Sequence, residues 1–438
     1  MTNSRKIKVA IAGLGTVGQG VWKHLRARRK ELESSMRCQY SLERAAVRDL
    51  SKKRAIRISQ KVLTDDAMSL ANDPEIDVLC ELMGGTDEAL KVTKAALKNG
   101  KTVVSANKAL LCDHGDALFR LAKENGAHIY FEASVAGGIP IIKALREGLV
   151  VNQFPQIYGI LNGTCNYILT RMEREMQSFE TILQDARRLG YVEADESLDL
   201  DGWDAAHKAV IIAYLAHGKW IPLKKMPVEG IREITLEDIQ WAQRLGYKIK
   251  LLALILRDFK NDHLFASVQP ALVPSDMILA NVDGVFNAIS VTGDIVGESV
   301  YIGRGAGQDA TASAVISDVV DAVTAISHGI QPEEPVNRQD LKLARLEDVY
   351  RSFYIRLSVK DQPGVLAEVA NILSKQDISI ESVMQQPNGT SGSANLVLTT
   401  HVCSEAAMAS AVAVLKRHRS LLKKPFLLRI ADFAQRLG

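Results

Sequence analysis

The first 135 residues alternate short apolar segments with longer stretches in which apolar positions recur at helical spacing. The apolar segments are five to seven residues long: KVAIAG (8–13), ERAAV (43–47), IDVLCEL (76–82), KTVVSA (101–106) and HIYFEA (128–133). Two of the stretches between them, 91–100 and 113–126, end on a glycine, as helices often do. Strands that alternate with helices in this way predict βαβ units on a parallel sheet.

The pattern changes after residue 135. Longer helical stretches then mix with β-rich segments such as FASVQPALV (265–273), which predicts a second α/β domain over residues 135–302. Residues 331–350 are rich in proline and charge and have the composition of a linker.

A regular order of elements follows the predicted linker. Strand, helix, strand, strand, helix and strand are predicted at 353–359, 365–375, 378–386, 394–401, 405–418 and 425–432. The order βαββαβ within about 80 residues is that of a ferredoxin-like domain. The chain is therefore predicted to be an α/β protein of three domains.

Composition and charge argue against nucleic acids and membranes as partners. The 438 residues carry a net charge of +3, and no basic tract of the sort that binds nucleic acid is present. The longest apolar runs, 209–216 and 251–256, fall short of the roughly 20 residues that cross a membrane. The five cysteines are scattered singly, which argues against a disulfide framework or structural zinc. We expect a cytoplasmic protein without a nucleic-acid or membrane partner.

The segment GLGTVG, which begins at Gly13, lies directly after a predicted strand and directly before a helix. In that context G-x-G-x-x-G indicates dinucleotide binding, with a plain glycine-rich turn as the alternative. Gly13 would permit the tight turn, Gly15 the approach of a pyrophosphate and Gly18 close packing of the helix. The N–H groups of Thr16 and Val17 would then bind phosphate at the helix N-terminus.

The residues after the second strand bear on the choice of dinucleotide. That strand ends in AAVRD (45–49), and SKKR follows. Arg48, Lys52 and Lys53 suit the 2′-phosphate of NADP, whereas Asp49 keeps NAD open. A solvated loop would carry the same basic residues. We favour NADP over NAD.

Two lysines are candidates for chemistry. The segment SANKAL begins at Ser105 and places Lys108 just past the fourth strand, at the edge where open α/β sheets bind ligands. Position alone is weak evidence, because lysines there mostly point into solvent. Lys208 follows a stretch with six carboxylates and precedes the apolar run AVIIAYLA. An ammonium beside apolar surface requires carboxylate partners, and such a lysine is suited to moving a proton.

The acidic stretch before Lys208 allows three interpretations. SLDLDG (197–202) imitates the start of a calcium-binding EF-hand loop, but Lys208 occupies the twelfth position, where glutamate is required. A solvated loop that caps a helix explains some of the acids, and Asp204 and Lys208 at i,i+4 suit a routine ion pair. In the third interpretation, Glu193 and Asp204 bind the ammonium of an amino-acid substrate while Lys208 protonates its carbonyl oxygen.

Six motifs, GLGTVG, SANKAL, FEASVAGGIPII, GILNGTCNYIL, GYVEADESLDLDGWDAAHK and GRGAGQDATASAV, occur in this order. In this respect the chain resembles the homoserine dehydrogenases. DQPGVLAEVA (361–370) resembles the start of an ACT domain, which bacterial members carry. The resemblance covers nearly the whole chain, and NGTCNYIL and the block ending in DAAHK are its most specific parts.

The resemblance implies a domain order and a reaction. A Rossmann-type NAD(P)-binding domain would comprise 1–134, completed by about 303–330, followed by a catalytic and dimerisation domain (135–302), the linker (331–350) and an ACT regulatory domain (351–432). The reaction would be reversible hydride transfer between NAD(P)H and L-aspartate 4-semialdehyde, giving L-homoserine for threonine, methionine and isoleucine biosynthesis.

The resemblance also implies roles for individual residues. Lys208 would donate a proton to the developing alkoxide, and Lys108, near nicotinamide and substrate, would assist. Glu193 and Asp204 would contact homoserine. The positions that would approach the cofactor, besides the glycine loop, are Ser105, Lys108, Gly190 and Gly303.

FEASVAGGIP resembles the monovalent-cation loop of the same family, in which a glutamate and backbone carbonyls bind sodium. The matching positions are Glu132, Val135, Gly137 and Ile139. A hard cation prefers such oxygen ligands. An ion-free glycine-rich turn is the alternative.

The ACT-like region resembles modules that bind an amino acid between paired domains, and the pathway suggests threonine. Asp361, Pro363, Gly364 and Val365 form the turn into its first helix, whose N–H groups would meet a carboxylate. A purely structural dimerisation module is the alternative. The resemblance implies a homodimer or homotetramer.

Two further functions compete with this interpretation. One is another NAD(P)-dependent enzyme that acts on an amino-acid aldehyde or keto acid, and the NGTCNYIL and DAAHK blocks speak against it. The other is a catalytically silent protein that senses nucleotide and amino acid. The presence of both Lys108 and Lys208 speaks against the second, because a sensor does not need a proton donor.

Overall fold

A computed structural model of the chain describes residues 5–189, 196–331, 337–338, 340–387, 392–431 and 436–437. The chain divides into two compact units. The first comprises residues 1–152, 210–223 and 301–339, and the second comprises residues 153–209, 224–300 and 340–438.

Strands and helices are numbered in chain order within the described residues. The strands are β1 Ile7–Ala12, β2 Tyr40–Ala46, β3 Leu63–Thr64, β4 Val78–Glu81, β5 Thr102–Ser105, β6 Ile129–Tyr130, β7 Gln156–Ile160, β8 Tyr247–Asp258, β9 His263–Pro274, β10 Phe286–Gly293, β11 Gly297–Arg304, β12 Lys342–Leu343, β13 Val349–Arg351, β14 Phe353–Lys360, β15 Ile380–Pro387, β16 Ser393–Thr400, β17 Cys403–Ser404, β18 Phe426–Ile430 and β19 Arg436–Leu437. The helices are α1 Thr16–Ala27, α2 Arg29–Met36, α3 Ala67–Asn72, α4 Asp87–Lys98, α5 Lys108–Glu124, α6 Ile141–Lys143, α7 Gly163–Glu175, α8 Phe179–Arg188, α9 Ser197–Leu200, α10 Trp203–His217, α11 Leu236–Arg244, α12 Gln308–His328, α13 Val365–Ser374 and α14 Glu405–Leu415.

The first unit is built on a six-stranded sheet with the strand order β3-β2-β1-β4-β5-β6. Neighbouring strands pair in parallel, which confirms the prediction from alternating strands and helices. β1 and β4 are buried almost throughout, because helices cover both faces of such a sheet. The strand order reverses between β1 and β4, and ligands of doubly wound sheets bind at the carboxyl ends of the strands at that point.

Helix α12 completes the core of this unit. Ala312, Val315 and Val319 are buried on one face of the helix and join the cluster that contains Val9 and Ile11 of β1. By length and composition α12 could cross a membrane, and it is the one helix of that kind in the described part of the chain. Core helices of globular domains also reach this length and apolar composition, and α12 has the buried face of such a helix.

The second unit contains a ten-stranded sheet in the order β11-β10-β7-β8-β9-β18-β14-β16-β15, with β12 beside β9. β10, β7, β8 and β9 pair antiparallel in succession, and β8 and β9 form a hairpin of two 12-residue strands. The apolar run LLALIL, at 251–256, lies in β8 and is fully buried. Two residues separate helix α7 from β7, and one face of the helix is buried.

The last third of this unit has the predicted ferredoxin-like order βαββαβ. Strands β14, β15, β16 and β18 and helices α13 and α14 enclose their own apolar core, which includes Phe353, Leu357, Val369 and Met408. β18 also pairs in parallel with β9. The C-terminal domain therefore shares one continuous sheet with the preceding domain, a connection that the sequence pattern did not predict.

Two predicted boundaries differ from the structure. The helix predicted from residue 113 begins at Lys108, because the Asn107 side chain caps it by accepting a hydrogen bond from Leu110 N–H at 3.1 Å. The end of the predicted linker, 340–350, contains β12 and part of β13, and β12 pairs with β9. That part of the segment belongs to the fold because its backbone is hydrogen-bonded to the sheet.

A buried ion pair holds the C-terminal domain to the helix before β8. Asp238 of α11 is 0% exposed, and its carboxylate accepts hydrogen bonds from the Arg356 guanidinium at 2.7 and 3.1 Å. Tyr354 donates its hydroxyl to the same carboxylate at 3.3 Å. A carboxylate in this position needs its cation, because burial of an unpaired charge is costly.

We expect Arg356→Met to lower the free energy of unfolding by about 3–5 kcal/mol, since it leaves the Asp238 carboxylate buried without a cation. Urea unfolding followed by circular dichroism measures this change. Arg345→Met is the control, because Arg345 pairs with Asp348 on the exposed surface and should matter little. Equal effects of the two substitutions would contradict the importance of the buried pair.

Candidate active site

The glycine loop between β1 and α1 shows where the backbone is crowded and where it is open. A Cβ atom on Gly13, whose φ is +106°, would lie 2.5 Å from the carbonyl oxygen of Leu82. A Cβ atom on Gly18 would lie 2.0 Å from the carbonyl oxygen of Gly13. Larger residues are excluded at both positions. At Gly15, no heavy atom of the described residues beyond its chain neighbours lies within 4 Å of the Cβ position, so the backbone is open to a ligand.

The first turn of α1 supplies donors next to this opening. Its first intrahelical hydrogen bond runs from Gln19 N–H to the carbonyl of Gly15, at 3.0 Å. The N–H groups of Thr16, Val17 and Gly18 precede that bond and therefore have no acceptor within the helix. An anion is stabilised at such a helix end by the N–H groups and the helix dipole.

Gln19 is a structural residue of this site that the sequence analysis did not identify. Its side-chain amide donates to the carbonyls of Leu14 and Gly15 at 3.3 and 3.4 Å, and its Oε1 accepts from Ala55 N–H at 2.8 Å. Gln19 thus ties the glycine loop to the loop that follows β2. The sequence carried no signal for this role, because residue 55 is distant along the chain.

The loop after β2 presents the three basic candidates. Arg48, Lys52 and Lys53 are all exposed. The carboxylate of Asp49 accepts hydrogen bonds from the hydroxyl and N–H of Ser51 at 2.6 and 2.8 Å, and these bonds lower the pKa of Asp49. The carboxylate that would bind a ribose diol is therefore already hydrogen-bonded within its own loop.

A buried carboxylate lies at the carboxyl end of β4. Glu81 is 0% exposed, and it accepts hydrogen bonds from the Ser105 hydroxyl at 2.8 Å and from Met83 N–H at 2.9 Å. Burial raises the pKa of the Glu81 carboxyl, and the hydrogen bonds from Ser105 and Met83 oppose that shift. The signal for Glu81 was a glutamate near the carboxyl end of the apolar segment IDVLCEL, and the sequence analysis did not use it.

This arrangement limits what Ser105 can do. Its hydroxyl donates to Glu81 and accepts from Asn107 N–H at 3.1 Å, and the residue is 1% exposed. In this geometry the hydroxyl proton is committed to the protein. Asn107 also donates its amide to the carbonyl of Gly85 at 2.8 Å. The start of α5, with half-buried Lys108 as its first residue, is thereby held to the loop after β4.

In the second unit, the junction of β7 and α7 organises the acidic stretch. Asn162 caps α7 by accepting a hydrogen bond from Cys165 N–H at 2.8 Å. Its side-chain amide donates to Asp199 Oδ1 at 2.7 Å and to Asp204 Oδ2 at 2.9 Å. Cys165 is buried, which raises the pKa of its thiol well above the usual range, so it is not a nucleophile.

Lys208 is buried and bonded to this junction. Its ammonium donates to Asp204 Oδ2 at 2.7 Å and to the carbonyl of Leu161 at 2.6 Å. The side chain is 10% exposed, and the apolar run that follows it in α10 is buried, as predicted. An ammonium has three N–H donors. The described residues provide acceptors for two of them, which leaves one for a ligand.

The other described acids of the stretch have structural partners. Glu196 forms a bidentate pair with Arg187 at 2.9 and 2.6 Å, and Arg232 donates to Asp201 at 2.5 Å. These pairs account for the charge that the sequence analysis assigned to a capping loop. Glu193 and Gly190, proposed to contact substrate and cofactor, lie outside the described residues.

The proposed cation loop follows β6 in the first unit. Glu132 is 2% exposed, and its two carboxylate oxygens accept from Ile142 N–H and Lys143 N–H, both at 2.9 Å. Burial raises the pKa of the Glu132 carboxyl. The described chain contains no cluster of three or more His, Cys, Asp or Glu side chains that could bind a metal, so a cation here would depend on carbonyl ligands.

The three backbone carbonyls proposed as cation ligands differ in whether they already accept a backbone hydrogen bond. The Ile139 carbonyl accepts from Ile141 N–H at 2.8 Å, whereas no backbone N–H of the described chain donates to those of Val135 and Gly137. Gly137 has a φ of +51°, and a Cβ atom there would lie 2.5 Å from the carbonyl oxygen of Gly305. Gly303, which was predicted to approach the cofactor, packs against Ile139. A Cβ atom on Gly303 would lie 2.9 Å from the Ile139 side chain.

The predicted regulatory turn lines a cavity in the C-terminal domain. Asp361, Pro363, Gly364 and Val365 connect β14 to α13, and the cavity beside them measures about 430 Å³. Gly364 has a φ of +94° and is the N-cap residue of α13. The amide of Gln385 donates to Asp361 at 3.2 Å. The structure therefore brings the four predicted residues together at a helix N-terminus.

The candidate residues divide between the two units. The glycine loop, Lys108 and the cation loop belong to the first unit, and Lys208 and Asp204 belong to the second. Within each unit the structure places the predicted residues beside one another at the glycine loop, at the cation loop and at the Asp204–Lys208 pair.

We expect Gly15→Ala to fold normally but to bind NADPH at least about tenfold more weakly, a loss of roughly 1.4 kcal/mol. The backbone at Gly15 (φ −72°, ψ −159°) suits alanine, and the added methyl group projects into the opening. Fluorescence titration gives the Kd and thermal melting gives the stability. Gly148→Ala is the control, since its Cβ position is equally uncrowded within the described structure. A lower melting temperature for Gly15→Ala alone would indicate a structural role instead.

Family models and related sequences point to the same protein family. The model of the homoserine dehydrogenase NAD-binding domain matches residues 13–132, and that of homoserine dehydrogenase matches residues 140–320. The ACT domain model matches residues 353–419. Homoserine dehydrogenase of Pseudomonas aeruginosa is 41% identical over 421 residues, which cover 94% of this chain and 96% of that protein.

Solved structures agree with the sequences. A homoserine dehydrogenase from Thiobacillus denitrificans superposes with a TM-score of 0.92 at 39% identity, over 98% of this chain and 99% of that chain. A hyperthermophilic archaeal homoserine dehydrogenase in complex with NADPH has a TM-score of 0.62 at 28% identity, over 73% of this chain and 98% of that one. These matches confirm the predicted fold class, and the chain belongs to the homoserine dehydrogenase family of NAD(P)-dependent oxidoreductases.

Proposed function

We propose that this chain catalyses the reversible reduction of L-aspartate 4-semialdehyde to L-homoserine in threonine, methionine and isoleucine biosynthesis. The observation that carries the proposal is the environment of Lys208. Its ammonium is buried, paired with Asp204 and anchored to the Leu161 carbonyl, and among the described residues these two acceptors take two of its three N–H donors. A purely structural ion pair at i,i+4 would not require burial or the additional carbonyl.

The chain's own residues handle the proton and the substrate. Bound NAD(P)H supplies hydride, and reduction of an aldehyde then requires a proton at the carbonyl oxygen. Lys208 donates that proton, and Lys108 at the start of α5 assists. Positioned general acids of this kind contribute roughly 10²–10⁴-fold to a rate. Glu193 and Asp204 bind the substrate ammonium, since carboxylates are the natural partners of an amino-acid cation.

NADP is the favoured cofactor. Arg48, Lys52 and Lys53 are exposed after β2, where the adenosine ribose of a dinucleotide is recognised. Asp49, which would accept the 2′-hydroxyl of NAD, already accepts two hydrogen bonds from Ser51 on its Oδ1. The NADPH complex of the archaeal relative is consistent with this preference.

A monovalent cation, sodium by the family resemblance, binds beside Glu132. A buried carboxylate gains stability from a nearby cation, and the carbonyls of Val135 and Gly137 supply further oxygen ligands. The carbonyl of Ile139 already accepts a hydrogen bond from Ile141 N–H, so of the three carbonyls it is the least available to a cation. The residues present fit a hard cation, because every donor is an oxygen atom.

The C-terminal domain regulates the enzyme through threonine. The turn formed by Asp361, Pro363, Gly364 and Val365 joins a cavity of about 430 Å³ to the N-terminus of α13, which suits an amino-acid carboxylate. Feedback by an end product of the pathway explains why a binding module is attached to the enzyme.

The domains predicted from the sequence keep their proposed functions. Residues 1–134 with about 303–330 bind nucleotide, 135–302 catalyse and dimerise, and 351–432 regulate. The parallel sheet, the β7–α7 junction and the ferredoxin-like core support these assignments. We infer a homodimer or homotetramer in the cytoplasm, where five free cysteines stay reduced.

We expect Lys208→Met to lower kcat for aspartate semialdehyde by about 10²–10⁴-fold while the Kd of NADPH is unchanged, because the substitution removes the proton donor. NADPH absorbance measures the rate. Lys225→Met, at an exposed lysine of the same unit, is the control. Near-normal kcat for Lys208→Met would exclude Lys208 as donor, and no turnover by the wild type would contradict the proposed reaction.

We expect the double substitution Lys52→Ala and Lys53→Ala to raise the KM for NADPH about tenfold and to leave the KM for NADH nearly unchanged. Only NADPH carries the 2′-phosphate that these lysines would contact. Lys30→Ala and Lys61→Ala serve as controls for a general loss of positive charge. Equal changes with both cofactors would show that the lysines are solvated and do not discriminate.

A further inference from the structure

The Asp204–Lys208 pair does not set its own geometry. Both side chains have several rotatable bonds, and an i,i+4 pair on a helix samples many arrangements with little free-energy difference. A proton donor must nevertheless be placed within a fraction of an ångström of its acceptor. Residues outside α10 must therefore select one arrangement of this pair.

Two consecutive residues at the β7–α7 junction contact both members of the pair. The carbonyl of Leu161 accepts the Lys208 ammonium, and the side-chain amide of Asn162 donates to Asp204 Oδ2. The same Asp204 oxygen accepts from Lys208. Asn287 of β10 donates its amide to the Leu161 carbonyl at 3.0 Å, which supports that carbonyl from the neighbouring strand.

The orientation of the Asn162 amide is determined at both ends. Its Oδ1 accepts from Cys165 N–H, so its NH₂ group must point toward Asp199 and Asp204. The two amide hydrogens are used one on each carboxylate. Asn162 is 4% exposed and lies between a central strand and a helix, so it has little freedom to move.

The amide also separates two like charges. Asp199 and Asp204 both face Asn162, and without a donor between them their carboxylates would repel each other. That repulsion would shift Asp204 from the position in which its Oδ2 accepts from both Asn162 and Lys208. The ammonium would lose its defined direction with it.

We propose that Asn162 is a positioning residue for the reaction: its amide holds Asp199 and Asp204 in the one arrangement that aims Lys208 at the substrate. This inference rests on the proposed function, since it requires Lys208 to be the proton donor. Asn162 itself contacts neither the reacting carbonyl nor the hydride, and it acts through Asp204.

Two substitutions that keep a helix cap test the proposal. Serine and aspartate are both good N-cap residues, so α7 should remain intact in Asn162→Ser and Asn162→Asp. Asn162→Ser removes the amide donor, and we expect kcat to fall about 10²-fold because the donor is misplaced. The Kd of NADPH should not change, because the glycine loop belongs to the other unit.

The pH profile distinguishes positioning from a general structural role. Asn162→Asp adds a carboxylate beside Asp199 and Asp204, the partner of Lys208, and the added negative charge should stabilise the ammonium form of Lys208. We expect the alkaline limb of kcat for aldehyde reduction to move up by about one pH unit or more. Ser178→Ala, which removes the N-cap of α8 in the same unit, is the control and should move neither kcat nor the profile.

Three results would be decisive. A kcat of Asn162→Ser within about threefold of wild type would overturn the proposal, because positioned acid catalysis contributes far more than that. An Asn162→Asp profile that superimposes on the wild-type profile would also overturn it. Absence of turnover in the wild type would instead refute the proposed reaction, so the two failures are distinguishable.

Discussion

The placement of one ammonium group in an apolar helix is the constraint on which the catalytic unit depends. An unpaired buried charge costs several kcal/mol, so Lys208 requires a carboxylate and further acceptors within its own neighbourhood. Asp204 provides the carboxylate from the same helix, and Leu161 provides the carbonyl from the β7–α7 junction. Asn162 and Asn287 then hold those two partners in place. The polar side chains at this junction are explained by the charge that they surround.

The same region is connected by hydrogen bonds to the C-terminal domain. Asp199 lies on α9, whose Leu200 carbonyl accepts from Ile231 N–H at 2.9 Å. Two residues earlier, Glu229 pairs with Arg429 of β18 at 2.6 and 2.8 Å. β18 belongs to the ferredoxin-like domain and pairs with β9 of the catalytic sheet. The C-terminal domain and the rest of the second unit therefore share backbone hydrogen bonds as well as buried ion pairs.

In the nucleotide-binding unit, the site depends on close approach of backbone segments rather than on a buried charge. Gly13 and Gly18 allow strand, loop and helix to approach within distances that a Cβ atom would prevent. The carboxylate at the end of β4, Glu81, is buried but satisfied by Ser105 and Met83. These contacts hold the loops after β1, β4 and β5 at one edge of the sheet, while Gly15 remains open among the described atoms.

The sequence by itself determined the order of elements, the parallel and ferredoxin-like topologies, the glycine loop and the prominence of Lys208, because each depends on residues close together in the chain. Hydrophobic spacing, glycine positions and an i,i+4 pair are local properties. The roles of Asn162, Gln19 and Glu81, and the sharing of one sheet by two domains, were decided only by the tertiary structure. Each depends on partners tens of residues away, and hydrogen-bond geometry between such distant groups exists only once the strands and helices have packed.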